Sequence, residues 1–205
     1  MVKGYIIGID EVGRGPLAGP VMVGVVAVPK DFDWSLISGV NDSKQLTPLK
    51  RLVIFKQAKK LRQAGSLYFA VGKVSAKVID QQGITSAIAK ALKQALARVT
   101  AELGVVDRRG LEVFLDGGLK APGEYLDQKT IIRGDASEPV IGLASIVAKV
   151  TRDNLLERLG ARPDLKPYGL ANHKGDGTSE HLAAIAKYGL SREHRRSFCR
   201  RFLAN

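Results

Sequence analysis

Apolar residues along this chain fall into short runs that alternate between strand-like and helix-like spacing. Short apolar or β-branched runs predict strands, at residues 4–9, 21–28, 67–71, 111–115 and 130–133. Helical spacing and capping signals predict helices, at residues 48–63, 84–103, about 137–159 and 179–188. Because strands and helices alternate, the pattern indicates an α/β fold.

The segments without periodicity divide the chain. Residues 160–178 are rich in proline, glycine and basic side chains, so we interpret them as a loop, and a basic tail follows the last predicted helix. A chain of 205 residues fits one compact domain. We therefore expect a core over residues 1–160, with the loop and helical segment of residues 161–205 packed against it.

Acidic residues follow three of the predicted strands. Asp10 and Glu11 come directly after the first strand, Asp116 after the fourth, and Asp135 soon after the fifth. Ligands of open α/β sheets gather at the carboxyl ends of strands, so these side chains converge if the strands are neighbours. Crowded carboxylates repel one another unless a cation neutralises them, and Mg²⁺ and Mn²⁺ prefer oxygen ligands. Two such ions, about 3.5–4 Å apart, can clamp a phosphodiester during hydrolysis.

A plainer interpretation of these acids stays open. Asp and Glu at strand ends often form turns or cap helices, and Asp135 precedes a predicted helix. In a regular strand Asp10 and Glu11 point to opposite faces, so both can face one ion only if the chain turns at Glu11. The conformational freedom of Gly13 allows such a turn.

The charge balance favours a polyanionic partner. The chain carries 32 basic and 20 acidic side chains, which gives a formal net charge of +12 and a pI near 9.9. Such a charge attracts nucleic acid through its phosphates. The densest basic cluster fits a solvated or phosphate-contacting tail and consists of Arg195, Arg196, Arg200 and Arg201.

Other residue types narrow the class of protein. One cysteine, Cys199, excludes internal disulfides and a cysteine-rich zinc site, and the three histidines lack zinc-site spacing, so we interpret them as structural or phosphate-contacting. The N-terminus shows no signal-peptide pattern, and the longest apolar run, Val21 to Val28, is too short to span a bilayer. We expect a soluble, cytoplasmic protein with no membrane partner.

Motifs spread over nearly the whole chain resemble those of type 2 ribonuclease H. They begin with the glycine-rich run Asp10 to Pro20 and the segment Asn41 to Leu46. The others follow in the expected order: Leu115-Asp116-Gly117, Gly134-Asp135, Ala144 to Asp153, His173-Lys174-Gly175 and His194 to Phe198. Several specific motifs in one chain carry more weight than a lone glycine-rich loop.

The resemblance implies a fold, a reaction and a set of catalytic residues. The fold is a ribonuclease H-like mixed β-sheet flanked by helices, with a small C-terminal helical segment. The reaction is hydrolysis of the RNA strand of RNA–DNA hybrids and nicking on the 5′ side of ribonucleotides embedded in duplex DNA, which leaves 3′-hydroxyl and 5′-phosphate ends. The implied cofactor is Mn²⁺ or Mg²⁺ in a two-metal site. The family's four catalytic, metal-binding carboxylates correspond to Asp10, Glu11, Asp116 and Asp135.

The resemblance also implies substrate contacts. The loop Gly13-Arg14-Gly15 corresponds to the family's reader of the RNA–DNA junction, and glycines there allow the backbone to approach a 2′-hydroxyl closely. Further positions are interpreted as phosphate contacts or as supports, with an ordinary loop or a solvated helix face as the alternative: Ser43, Lys44, Lys149, Arg152 and Asp153.

One position departs from the family pattern. The family places a tyrosine directly after His-Lys-Gly, where it packs on the sugar beside the ribonucleotide, and this chain has Asp176 there. Tyr168, eight residues upstream, is the candidate for a substitute aromatic surface. Because an acid cannot stack on a sugar, we hypothesise that single ribonucleotides are discriminated less well than longer RNA tracts.

Two alternatives differ in class. Type 3 ribonuclease H shares the catalytic core but usually carries an extra N-terminal domain. Because the Asp-Glu pair begins at residue 10, we expect no such domain here. A nucleic-acid-binding protein with an inactive nuclease fold is the other, and it has no use for four acids near phosphate. We expect a monomer that acts on RNA–DNA hybrids and on ribonucleotide-containing duplex DNA.

Overall fold

The computed structural model describes residues 4–40 and 46–203. Its strands form a single five-stranded sheet in the order β3-β2-β1-β4-β5. The strands are β1 (Tyr5–Val12), β2 (Val21–Pro29), β3 (Tyr68–Val74), β4 (Leu111–Asp116) and β5 (Asp127–Ile131). Because β1 pairs with β2 antiparallel and with β4 parallel, the sheet is mixed, and the expected mixed sheet flanked by helices is confirmed.

Helices cover both faces of this sheet. The helices are α1 (Pro48–Gln63), α2 (Ala76–Gln82), α3 (Ile84–Leu103), α4 (Gly134–Ser137), α5 (Pro139–Gly160), α6 (Leu170–His173), α7 (Ser179–Tyr188) and α8 (Arg196–Leu203). Short 3-10 turns span Trp34–Leu36, Arg108–Gly110 and Lys166–Tyr168. Within these described helices, none is long and apolar enough to cross a membrane.

Alternation along the strands explains the two layers. Val23 and Val25 of β2 lie in the apolar cluster formed with α3, whereas Val26 and Val28 lie in the cluster formed with α1 and α5. Successive side chains of a strand point to opposite faces, so a strand that is apolar throughout supplies both clusters. The central strands are therefore buried on both sides.

Helix α5 lies unusually close to β1. A Cβ atom at Gly8 would stand 2.3 Å from the carbonyl oxygen of Val140 and 2.7 Å from the amide nitrogen of Ile141, so no side chain fits there. This contact brings the first turns of α5 beside the end of β1. It thereby sets the distance between Ser145 and Asp10.

A third apolar cluster joins the C-terminal helices to the loop between β1 and β2. Leu17 and Ala18 of that loop are buried against Leu165, Leu170 and Ile185. The residues after α5 thus pack on the loop that follows the first two acids, and they are placed to control its shape.

Several elements differ from the expectations. Helix α2 was not predicted, because it has only seven residues between Ser75 and Gly83. Strand β5 begins at Asp127 and ends at Ile131, because polar residues such as Gln128 are tolerated at the edge of the sheet. The expected loop contains α6, and the basic tail forms α8.

The chain does not turn at Glu11, which was the condition stated for Asp10 and Glu11 to face one ion. Strand β1 runs on to Val12, because its antiparallel ladder with β2 continues as far as the pair Val12 and Met22. The chain bends only at Gly13, whose φ of +81° lies in the left-handed region that favours glycine.

Candidate active site

Three of the predicted acids meet in space. Asp10 comes from β1, Asp116 ends β4, and Asp135 lies in the short helix α4 after β5. Each offers a carboxylate oxygen, and these oxygens all lie within 4.8 Å of one another. The parallel pairing of β1 with β4 and of β4 with β5 explains this, because the carboxyl ends of parallel strands share one edge.

Glu11 stands outside this group of three but faces the same cavity. The cavity has a volume of about 380 Å³, and Asp10, Glu11 and Asp116 all line it. Two successive strand residues can both reach it because β4 stops pairing with β1 at Ile9, which leaves the end of β1 open on that side. The Oε1 atom of Glu11 lies 3.5 Å from Nη1 of Arg14.

The acids repel one another at this site. Burial raises the pKa of Asp10 to about 7, and the negative charges of Asp116 and Glu11 push it in the same direction. A hydrogen bond from Ser145 and one from the backbone N–H of Glu11, at 2.8 Å, oppose the rise. The pKa of Glu11 is also raised, first by burial and then by Asp116, although Arg14 opposes this. A cation bound here would relieve the repulsion.

A strained turn aligns the two acids from β4 and α4. Arg133 has a φ of 55°, which is uncommon for a residue other than glycine and indicates local strain. The turn directs the N–H of Gly134 to Oδ1 of Asp116 at 2.8 Å. Asp135 follows at once and is buried, so the same turn orients one acid and positions the other.

Two buried arginines hold the loop that follows β1. Arg195 donates to the carbonyl oxygens of Gly13 (2.6 Å), Arg14 (3.0 Å) and Gly19 (3.0 Å). Arg152 of α5 donates to the carbonyl oxygens of Pro20, Ala18 and Lys174.

The burial of the two arginines corrects the expectation for Arg195 and decides between the alternatives for Arg152. Arg195 is fully buried, so it belongs to the interior and not to a solvated or phosphate-contacting tail. Arg152 is also buried, which leaves it a support and excludes a solvated helix face. Carbonyl oxygens collected from distant segments satisfy both guanidinium groups, and no sequence pattern signals such a set.

Other predicted substrate residues are found at the cavity or outside the described residues. Gly13, Arg14 and Lys149 line the cavity, while Gly15 is exposed beside it. Lys149 forms an ion pair with Asp153 at 3.0 Å. Ser43 and Lys44 lie outside the described residues.

Sequence reasoning missed two residues that line the cavity. Ser145 of α5 donates a hydrogen bond to the Asp10 carboxylate, but in the sequence it lies within the motif Ala144 to Asp153 and was given no role there. Arg51 of α1 brings positive charge to the cavity wall. Its position one turn after Pro48 carries no signal that separates it from the other basic residues of α1.

Tyr168 does not offer the surface that was expected of it. Its side chain is buried, its hydroxyl donates to the carbonyl oxygen of Gly189 at 3.0 Å, and its ring packs edge-on against His194. A ring enclosed in this way cannot stack on a sugar. The side chain of Asp176, in contrast, is exposed, and its charge raises the pKa values of Arg152 and Arg195 against the stronger lowering by burial.

Comparisons with known proteins agree with this geometry. The family model of ribonuclease HII matches residues 7–202. Ribonuclease HII of Geobacillus thermodenitrificans is 45% identical over 193 residues, which cover 94% of this chain and 68% of the relative.

Solved structures show the same fold. Ribonuclease HII of Archaeoglobus fulgidus, solved in a complex with PCNA, superposes with a TM-score of 0.68 at 25% identity and covers 93% of each chain. Ribonuclease H2 of Pyrococcus horikoshii superposes with a TM-score of 0.66 at 24% identity, over 98% of this chain and 100% of that one.

The carboxylates that crowd one sheet edge, on a fold shared with these relatives, place the protein among the metal-dependent ribonucleases, which are hydrolases. The family model and the curated relatives then separate type 2 from type 3. The chain belongs to the ribonuclease HII family.

Proposed function

We propose that this protein hydrolyses the RNA strand of RNA–DNA hybrids and nicks duplex DNA on the 5′ side of embedded ribonucleotides, leaving 3′-hydroxyl and 5′-phosphate ends. The observation that carries the proposal is the meeting of carboxylate oxygens of Asp10, Asp116 and Asp135 within 4.8 Å of one another. Asp10 and Asp116 also line a cavity that basic side chains share. Family membership supports the choice of RNA–DNA substrates.

The donor set fits hard divalent cations. The three clustered acids supply only oxygen ligands. Burial and the neighbouring carboxylates raise the pKa of Asp10, and a bound cation would offset that cost of its charge. We propose that Asp10, Asp116 and Asp135, with Glu11 from the same cavity wall, hold two Mg²⁺ or Mn²⁺ ions. Such ions, when bound, activate water and stabilise the charge that develops on a phosphodiester.

The remaining residues bind and orient the substrate. Arg14, Arg51 and Lys149 bring positive charge to the cavity wall, where phosphate oxygens need partners. Arg51 also lines a neighbouring cavity of about 510 Å³. Ser145 keeps the Asp10 carboxylate oriented. The resemblance adds Ser43 and Lys44 as phosphate contacts.

Recognition of the ribonucleotide is assigned to the loop of residues 13–15. Gly13 and Gly15 present backbone groups without side chains in the way, so a 2′-hydroxyl can approach them closely. Asp176 stands where the resemblance implies a tyrosine, and Tyr168 is buried, so nothing aromatic at these two positions covers the sugar. We therefore propose weaker discrimination of single ribonucleotides than of longer RNA tracts.

Three matched duplexes test the reaction. They carry one embedded ribonucleotide, a tract of four ribonucleotides, or DNA alone, and each is incubated with Mg²⁺ and with Mn²⁺. We expect cleavage of the first two duplexes, faster for the tract, and no loss of the third. Cleavage of the all-DNA duplex, or of none, refutes the proposal, and equal rates on the first two refute the weaker discrimination.

Two controls complete the experiment. Asp10→Asn distinguishes an enzyme from a binding protein, because it removes turnover while substrate affinity persists. Sedimentation at the enzyme concentration of the assay tests the proposed monomer, and a dimer would contradict it.

A further inference from the structure

Asp80 of α2 is bonded to the start of α8. Its carboxylate accepts hydrogen bonds from the N–H of Arg196 (2.9 Å), the N–H of Ser197 (2.9 Å) and the hydroxyl of Ser197 (2.6 Å). These groups precede or begin the first turn of α8, whose N–H groups have no partner within the helix itself. The side chain of a distant helix thus fixes where α8 begins.

The residue just before this fixed turn is Arg195. Its backbone N–H donates to the carbonyl oxygen of Leu17 at 2.8 Å, and its carbonyl oxygen accepts from the N–H of Phe198 and of Cys199. Arg195 is therefore attached on one side to the loop after β1 and on the other side to the first turn of α8. A displacement of that turn would move the Arg195 backbone directly.

The side chain of Arg195 connects the first turn of α8 to the loop after β1. Its three hydrogen bonds end on the carbonyl oxygens of Gly13, Arg14 and Gly19. Gly13 and Arg14 line the cavity of the acids, so the guanidinium group holds the back of the loop whose front faces substrate. Gly13 is in a left-handed conformation that this anchoring keeps in place.

We propose that Asp80 is a positioning residue for the substrate-reading loop of residues 13–19: it fixes the first turn of α8, and through it the Arg195 guanidinium that grips this loop. The proposal rests on the function proposed above for that loop. Asp80 itself touches neither the acids nor the loop among the described contacts, so its effect on the reaction passes through Arg195.

A carboxylate suits this role better than a neutral side chain. Two oxygens that only accept hydrogen bonds serve three donors, whereas an asparagine would turn an NH₂ group toward one of the N–H groups. The charge matters as well, because no carboxylate in the described part of the chain forms an ion pair with buried Arg195. Burial lowers the pKa of Arg195 to about 9, and the Asp80 charge opposes that fall.

We call the series of contacts from Asp80 through Arg195 to the loop the relay. Hydrogen exchange of the loop tests it without any assay of activity. We compare the full-length wild type with Asp80→Asn and follow deuterium uptake in the peptide that covers residues 13–20, with a peptide of α3 as the internal reference. We expect uptake to rise in the loop and to stay unchanged in α3. Unchanged uptake in the loop overturns the proposal, even if the variant unfolds at a lower temperature.

Kinetics separate a positioning role from a merely structural one. With the duplex that carries one ribonucleotide, we expect Asp80→Asn to raise KM about tenfold and to change kcat and the metal concentration for half-maximal rate by less than about twofold. An equal fall of kcat at unchanged KM overturns the proposal. If no duplex is cleaved by the wild type, the proposed function fails, but the exchange result still decides the relay.

Two further variants keep the test specific. Asp33→Asn is the matched control, because Asp33 also caps a turn, accepting from the N–H of Ser35 at 2.9 Å, but lies in the unrelated 3-10 turn after β2. It should behave as wild type in both measurements. Ser197→Ala removes one of the three bonds and should raise loop uptake less than Asp80→Asn. A loop response to Asp33→Asn as large as that to Asp80→Asn contradicts the relay.

Discussion

The Nε2 atom of His181 lies 3.0 Å from the Nε2 atom of His194, and both rings are buried. The hydrogen bonds of the two Nδ1 atoms decide which of the two Nε2 atoms carries the proton between the rings. Nδ1 of His181 faces the carbonyl oxygen of Asp176 and must donate, while Nδ1 of His194 accepts the N–H of Ser191. His194 therefore donates through Nε2 to His181, and the network is complete only when both rings are neutral.

Acid should weaken the fold through this pair. Burial lowers the pKa of His194 to about 4, with His181 and His173 adding to the fall, and it lowers the pKa of His181 against the opposing charges of Asp176 and Glu180. Because the pKa of His194 is lower in the folded chain than in the unfolded chain, the unfolded chain takes up the proton first as the pH falls below 6.5. The stability that His194 contributes is complete above that pH and is lost toward pH 4, by about 3 kcal/mol.

His194→Gln separates this contribution from that of the carboxylates. Glutamine can still donate to His181 but does not titrate, so urea unfolding of the variant should depend less steeply on pH between 6.5 and 4 than that of the wild type. Parallel pH profiles of the two proteins would show that His194 is not the sensitive group.

Asp10→Asn should inactivate the protein and yet stabilise it in the absence of metal. The raised pKa of Asp10 means that its charge costs stability as the pH rises from 3.8 through about 7, so the cost is fully present at higher pH. In chelator at about pH 8 the variant should be more stable by about 2 kcal/mol. At saturating metal kcat should fall more than about 100-fold.

Thermal unfolding with and without Mn²⁺ measures both parts of this prediction. Mn²⁺ should raise the Tm of the wild type and have little effect on that of Asp10→Asn, because ligand binding stabilises only a competent site. A variant that is less stable than wild type in chelator would contradict the repulsion inferred among the acids.

Ser145→Ala should weaken metal binding without removing catalysis. The hydroxyl holds the Asp10 carboxylate and opposes the rise of its pKa, so its loss leaves the acid less well oriented and more readily protonated. We expect the metal concentration for half-maximal rate to rise about tenfold, with kcat at saturation nearly unchanged. Ser137→Ala, at an exposed position in α4, is the control.

Gly8→Ala, in the middle of β1, should destabilise the fold more than a glycine substitution in the 3-10 turn before β4. The added Cβ would meet backbone atoms of Val140 and Ile141, which cannot move without displacing α5. We expect a loss of about 3 kcal/mol in urea unfolding, and none at Gly110, where nothing lies within 4 Å of the added atom. A tolerated Gly8→Ala would show that α5 can shift away from β1.

Tyr168→Phe should lower stability and leave substrate binding unchanged. The variant loses the hydrogen bond from the hydroxyl to the carbonyl oxygen of Gly189, at a cost of about 1 kcal/mol. KM for the duplex with one ribonucleotide should stay within about twofold of wild type, since the ring is enclosed. A large rise in KM would restore Tyr168 as a substrate contact.

The sequence by itself determined the elements and the acids of the site. Hydrophobic periodicity is a local property, so the central strands and the long helices could be read from it, and Asp10, Asp116 and Asp135 could be placed at strand ends. Their convergence then required only that β1, β4 and β5 be parallel neighbours, which the sheet shows.

Only the tertiary structure decided what the other polar residues do. Arg195 reads as part of a basic tail, Tyr168 as an aromatic surface and Asp80 as an ordinary helix residue. In the fold the first two are buried, and Asp80 accepts hydrogen bonds from the start of the helix that directly follows Arg195. Burial and hydrogen-bond partners depend on segments far apart in the chain, such as the loop after β1 and α8. No local pattern records which distant carbonyl or N–H group a side chain will meet.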